Sequence, residues 1–129
     1  MKDINLKEIS TPALAYLGDS ALEILVRRTL VASGLSSSKS LNAKALEFVS
    51  APAQAEAMKN IIGLLTEEEE GYFRRGRNIG HTNTPKHATV AQYRVATGME
   101  ALFGYLYLTE QSKRAEELFT KAYKLDAEE

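Results

Sequence analysis

The chain has 129 residues, 44% apolar and 26% charged, which suits one soluble globular domain with a single core and leaves little room for a second. It has no cysteine, which excludes a disulfide framework, a thiolate zinc site and a cysteine nucleophile, and no apolar run approaches membrane-spanning length. The formal charge is only −1, yet from Gly71 to Met99 there are five basic residues (Arg74, Arg75, Arg77, Lys86, Arg94) and no acid, so a local positive field sits in an acidic background.

The opening residues, MKDINLKEIS, hold no apolar stretch of the kind a signal peptide needs, and a cytoplasmic location is expected. A first helix is predicted from Thr11 as N-cap with Pro12 at its first position. Leu14, Leu17, Ala21, Leu22 and Leu25 recur at helical spacing, and the helix should stop at Gly34. A second helix is expected near Lys39 to Val49, with Leu41, Ala45, Phe48 and Val49 on its face. Ser50 can cap a third, and Thr66 with Glu69 makes a T-x-x-E capping box for a fourth. RNIGHTNTPKH reads as a polar loop, followed by a long helix from about Thr89 to Leu108 and a last amphipathic helix over KRAEELFTKAYKL. No segment alternates like a strand, so the expected class is all-α, a helical bundle over residues 1–129 with 125–129 as a frayed tail.

Two acids are out of place. Gly18 and Asp19 stand in the middle of TPALAYLGDSALEILVRRTLV, and Glu100 stands in the middle of VATGMEALFGYLYL. An unpaired buried carboxylate is costly or loses its charge. If the two helices pack together, the acids can meet; bare, they raise each other's pKa, and a divalent cation such as Mg²⁺, often held by one or two carboxylates, removes that penalty. The alternative from spacing alone is that both acids lie at helix rims in water. Glu23, one turn after Asp19, is read as solvated or paired with Arg27. The run TEEEE is read as a solvated helix start that complements the helix dipole. Gly18, Gly98 and Gly104 read as points of close approach, and His81 and His87 have no ligand partner at metal spacing.

The acid-free stretch FRRGRNIGHTNTPKHATVAQYR is read as a polyanion surface. Arginine suits phosphate through its planar fork, and Asn78, Asn83 and Thr84 add neutral donors. Its plain structural alternative is a surface loop flanked by cations at a helix C-terminus.

These motifs together resemble the ribonuclease III family. YLGDSALE resembles the family's core L-G-D-[AS] motif, and ATGMEALFGYLYL its D-x-x-E-A segment with the following G-x-x-Y-L run. The nuclease-only bacterial branch, Mini-ribonuclease III, is closer still. Its A-L-A-Y-[IL]-G-D, V-S-A, E-E-E-E, R-G-R-N, T-P-K, Y-R and E-A-L-x-G-Y-L motifs occur here in order, from Ala13–Asp19 to Glu100–Leu106, and the resemblance covers about Thr11 to Leu108. It implies a homodimeric all-α endonuclease domain that cuts double-stranded RNA with Mg²⁺, leaves 5′-phosphate products with short 3′ overhangs, and matures large-subunit (23S) ribosomal RNA. Asp19 and Glu100 carry over as catalytic metal ligands, and Arg74, Arg75, Arg77, Asn78, Thr84, Lys86 and Arg94 are assigned to RNA. Full-length ribonuclease III has further acids where this chain has Pro12, Ala15 and Thr97, which leaves two acids for the metal, with the Thr97 hydroxyl able to orient a metal-bound water. No C-terminal double-stranded-RNA-binding domain is expected. Two other readings remain at this stage: a helical module that binds duplex RNA without cutting it, and an all-α nucleotide pyrophosphohydrolase relying on Glu67–Glu70.

Overall fold

A computed structural model of the protein describes residues 4–79 and 87–126. Among these residues six α-helices follow in chain order: α1 (Thr11–Ala32), α2 (Ser38–Val49), α3 (Ala51–Ile61), α4 (Glu67–Arg77), α5 (Val90–Leu108) and α6 (Ser112–Ala122). Short 3₁₀ turns occupy Leu6–Glu8 and Ile62–Leu64, and there is no strand among the described residues. The fold is all-α.

The caps follow the sequence closely. Ser37, Ser50 and Thr66 accept N–H bonds at the starts of α2, α3 and α4, and Thr66 and Glu69 form the expected capping box. A second box, Thr89 with Gln92, starts α5. At α1 the cap is Ser10, one residue earlier than expected: its backbone is extended and its hydroxyl accepts from the Ala13 N–H, while Thr11 is already helical.

Helix α5 is the axis of the molecule. From Ala96 to Leu106 every residue except Glu100 is buried, so it is covered on all sides, by α1, α4 and α3. The α1–α5 contact is backbone against backbone. A Cβ at Gly18 would lie 1.6 Å from the Glu100 carbonyl oxygen, and one at Gly104 would lie 2.0 Å from the Leu14 carbonyl oxygen. No side chain fits at either point. The two helices run in opposite senses, Leu14 facing Gly104 and Gly18 facing Glu100. On the other flank, α4 approaches α5 through Gly76 and Gly98, whose added Cβ atoms would each come within 2.8 Å of a neighbour. The glycines are therefore close-approach points, as their placement on apolar helices suggests.

The core face of α1 differs from the expected one. Leu14, Ala15, Gly18, Leu22, Val26 and Leu30 are buried, in a row with a four-residue repeat, while Leu17, Ala21 and Leu25 are only partly covered. Helix α1 is apolar on more than one face, and periodicity alone cannot say which face meets α5. The uncovered side, with Ile24 66% exposed and Tyr107 of α5 62% exposed, borders an apolar groove of about 320 Å³.

The run Glu67–Glu70 is not uniformly solvated. Glu69 is 3% exposed and takes the Arg114 guanidinium of α6 in a two-pronged pair, Nε to Oε2 and Nη2 to Oε1, both 2.8 Å. The other Arg114 donors reach the Leu64 carbonyl and Glu117. That guanidinium holds the Glu69 carboxyl below the usual carboxylate range. The partner lies 45 residues away, beyond any local pattern.

Candidate active site and nucleic-acid surface

The close crossing at Gly18 brings Asp19 and Glu100 together. Both line a solvent-open pocket of about 250 Å³, with Pro12, Ala15 and Tyr16 of α1, Tyr93 and Thr97 of α5, and Ile79 just past α4. Asp19 is exposed and Glu100 half-buried. Burial is the main cause that pushes the Glu100 carboxyl up to about 8; the charge of Asp19 and a hydrogen bond between the two side chains add to it. At neutral pH without a cation Glu100 therefore keeps its proton, as expected of a buried carboxyl beside a second acid. Glu100 is not at a helix rim in water, while Asp19 faces both the pocket and solvent.

The pocket holds the two acids that the motif comparison with full-length ribonuclease III leaves. Pro12, Ala15 and Thr97, the three positions without an acid, all line it. Among the described residues no group of three or more His, Asp or Glu side chains converges anywhere. A hard divalent cation fits this donor set: two carboxylates on one pocket wall, one of them holding a proton that a cation would replace, and open space for water. The Thr97 hydroxyl donates to the Tyr93 carbonyl at 3.0 Å, so it can act on a water only as an acceptor. Glu23 takes no part; it pairs with Arg27 at 3.0 Å.

The basic end of α4 lies beside this pocket. Arg75 and Arg74 are exposed and Arg77 half-buried. Arg74 pairs with Glu70 at 3.6 Å. Arg75 donates from Nε to the Thr11 hydroxyl at 3.1 Å, next to Pro12 in the pocket wall. Arg77 lies over the Phe73 ring, 5.7 Å from its centroid, and donates from Nε to the Asn78 side-chain carbonyl at 3.4 Å. Asn78 closes α4 and immediately precedes Ile79 of the pocket. Arg94 is exposed, directly after Tyr93. Thr84 and Lys86, with His81 and Asn83, lie outside the described residues. Sequence reasoning passed over Tyr93 and Ile79 as pocket residues; the Y-R and R-G-R-N motifs beside them were the available signal.

An all-α domain with two facing acids at a helix crossing, flanked by arginines, defines a ribonuclease III-type nuclease domain, and residues 12–111 match the Ribonuclease III domain family. The chain is 46% identical over 114 residues to Mini-ribonuclease 3 of Enterococcus faecalis, covering 87% of this chain and 86% of that protein. It is 40% identical over 120 residues to Mini-ribonuclease 3 of Streptococcus pneumoniae, covering 92% of each. A crystal structure of a Fusobacterium nucleatum protein superposes with a TM-score of 0.83 at 29% identity, covering 98% of this chain and 99% of that one. The chain belongs to the ribonuclease III family, within its Mini-ribonuclease 3 branch. It is an endoribonuclease, which sets aside the module that binds without cutting. The pyrophosphohydrolase reading fails as well, since Glu69 is committed to Arg114 and the four acids do not converge. Among the described residues no helix is long and apolar enough to cross a membrane.

Proposed function

We propose that this endoribonuclease cleaves double-stranded RNA with Mg²⁺ held by Asp19 and Glu100, and that it acts in the cytoplasm on the precursor of 23S ribosomal RNA. The observation that carries the reading is the meeting of these two carboxylates in one open pocket, with the Glu100 carboxyl pushed up to about 8 by burial and by Asp19.

When bound, Mg²⁺ supplies Lewis-acid chemistry, making a water more acidic and offsetting the charge that builds on the reacting phosphate. The chain's own part is to hold two charges in place. Asp19 and Glu100 would hold the cation, Glu100 giving up its proton to do so, and Thr97 can accept a hydrogen bond from a water in the same pocket. Arg74, Arg75, Arg77, Asn78 and Arg94, with Thr84 and Lys86 of the loop, grip phosphates. A-form RNA hides its base edges and is recognised through backbone and shape, which suits a short arginine-bearing surface. Hydrolysis then leaves a 5′-phosphate and a 3′-hydroxyl.

The reading includes a homodimer. Ile24 and Tyr107, with Leu17, Ala21 and Leu25, form an apolar surface around the α1–α5–α6 groove. Exposed apolar surface of this kind marks an interaction site, and two copies joined there place two pockets on one duplex.

The test is a labelled RNA duplex incubated with Mg²⁺ or with EDTA, beside a nucleoside triphosphate in the same buffers. Cleavage of the duplex in Mg²⁺ alone, with 5′-phosphate ends and an untouched triphosphate, is expected. Equal cleavage in EDTA overturns the metal assignment.

A further inference from the structure

Arg75 is tied to a second helix, whereas the partners of Arg77, Phe73 and Asn78, lie in its own helix and cap. The Arg75 guanidinium carbon lies 5.0 Å from the centroid of the Tyr72 ring. That ring is itself stacked on Tyr105 of the buried helix α5, with centroids 4.2 Å apart and planes 11° from parallel. Arg75 Nε donates to Thr11 at the start of α1. Among the described residues no carboxylate pairs with Arg75, whereas Arg74 pairs with Glu70. Arg75 is thus an exposed, uncompensated cation whose side chain is braced by a two-ring stack and a hydroxyl. The terminal nitrogens keep their donors for a ligand.

The brace also sets a distance. Thr11 and Asp19 are eight residues apart on α1, about 12 Å along the helix axis. The Thr11 anchor thus holds Arg75 about two turns of α1 from Asp19.

We propose that Tyr72 and Thr11 are positioning residues. They fix the Arg75 guanidinium at a set distance from the carboxylate pocket, so that it clamps one backbone phosphate flanking the cleaved bond. The proposal rests on the RNA reading above. A long side chain ordered in advance loses less freedom on binding, so the brace strengthens the contact without touching RNA.

The experiment uses the full chain, a fluorescently labelled blunt RNA duplex and EDTA to prevent cleavage, with binding measured across a KCl series. Arg75→Ala should weaken binding about tenfold and lower the salt slope by about one counterion, the signature of one lost phosphate contact. Tyr72→Leu should weaken binding in the same direction by a smaller factor, and Tyr72→Phe, which keeps the stacked ring, should restore it. The combination of Arg75→Ala with Tyr72→Leu should be no weaker than Arg75→Ala alone. In Mg²⁺, Tyr72→Leu should raise KM far more than it lowers kcat. Thr11→Val, at the surface, repeats the test if Tyr72→Leu does not fold, and it too should be non-additive with Arg75→Ala. Additive losses overturn the proposal, because Tyr72 and Thr11 would then act independently of Arg75. Parental binding by Arg75→Ala also overturns it, and if Arg77→Ala still weakens binding and lowers the slope, the wider RNA surface stands. A parent that binds no duplex overturns both.

Discussion

Asp19 and Glu100 face one pocket, and burial with the nearby Asp19 keeps the proton on Glu100 at neutral pH. Asp19→Asn keeps the size but loses the charge a hard cation depends on, so cleavage should fall by about a thousandfold or more while duplex affinity in EDTA changes little. Glu100→Gln should act likewise; near-parental cleavage by either variant would sink the mechanism. The raised Glu100 pKa makes a second prediction, for the cation-free protein. The unfolded carboxyl titrates near its ordinary 4.5 and the folded one at about 8. Below 4.5 both states hold the proton and stability is intact. Between these values only the folded state holds it, so stability is lost as pH rises through about 8. Melting temperatures in EDTA should fall between pH 5 and 8 for the parent relative to Glu100→Gln, and Asp19→Asn should shrink that fall. A constant difference between parent and Glu100→Gln across the series would contradict it.

Helix contacts decide whether the two acids meet. Gly18→Ala would push a methyl into the Glu100 carbonyl, 1.6 Å away. The helices must separate, so a loss of about 3 kcal/mol or more in urea unfolding is expected, and the acids move with the helices. The Gly71→Ala control has no heavy atom within 4 Å of the added methyl and should be as stable as the parent or slightly more so. The Glu69–Arg114 pair ties α4 to α6 at the opposite end of α4 from the basic residues. Glu69→Gln keeps an acceptor for the Thr66 N–H but leaves Arg114 without its carboxylate. It should cost about 2 kcal/mol, less than a fully buried pair because Arg114 retains some solvent. Cleavage at low temperature should survive, since the pair does not reach the pocket.

At the scale of the whole molecule, the uncovered side of α1 tests the proposed homodimer. Ile24→Lys places a charge in the middle of the apolar surface and should halve the solution mass by sedimentation equilibrium, with the helical circular dichroism intact. A parental mass for this variant would remove that face from the dimer.

The helices and the Ser50 and Thr66 caps were legible in the chain because they are local, each hydroxyl bonding an N–H within three residues; Ser37 and Thr89 act the same way without having been singled out. Asp19 and Glu100 were legible because an acid inside an apolar helix breaks the period around it, and because the surrounding motifs resemble one family. What tertiary structure alone decided depends on partners far apart in the chain. The face of α1 that packs was set by where two backbones can touch, at Gly18 and Gly104. Glu69 became buried because Arg114 comes to it from 45 residues away, and Arg75 is braced by Thr11 from 64 residues away. A helical period counts only its own turns; which carboxylates face one pocket, and which arginine is tied to a distant helix, is settled when separate helices close on one another.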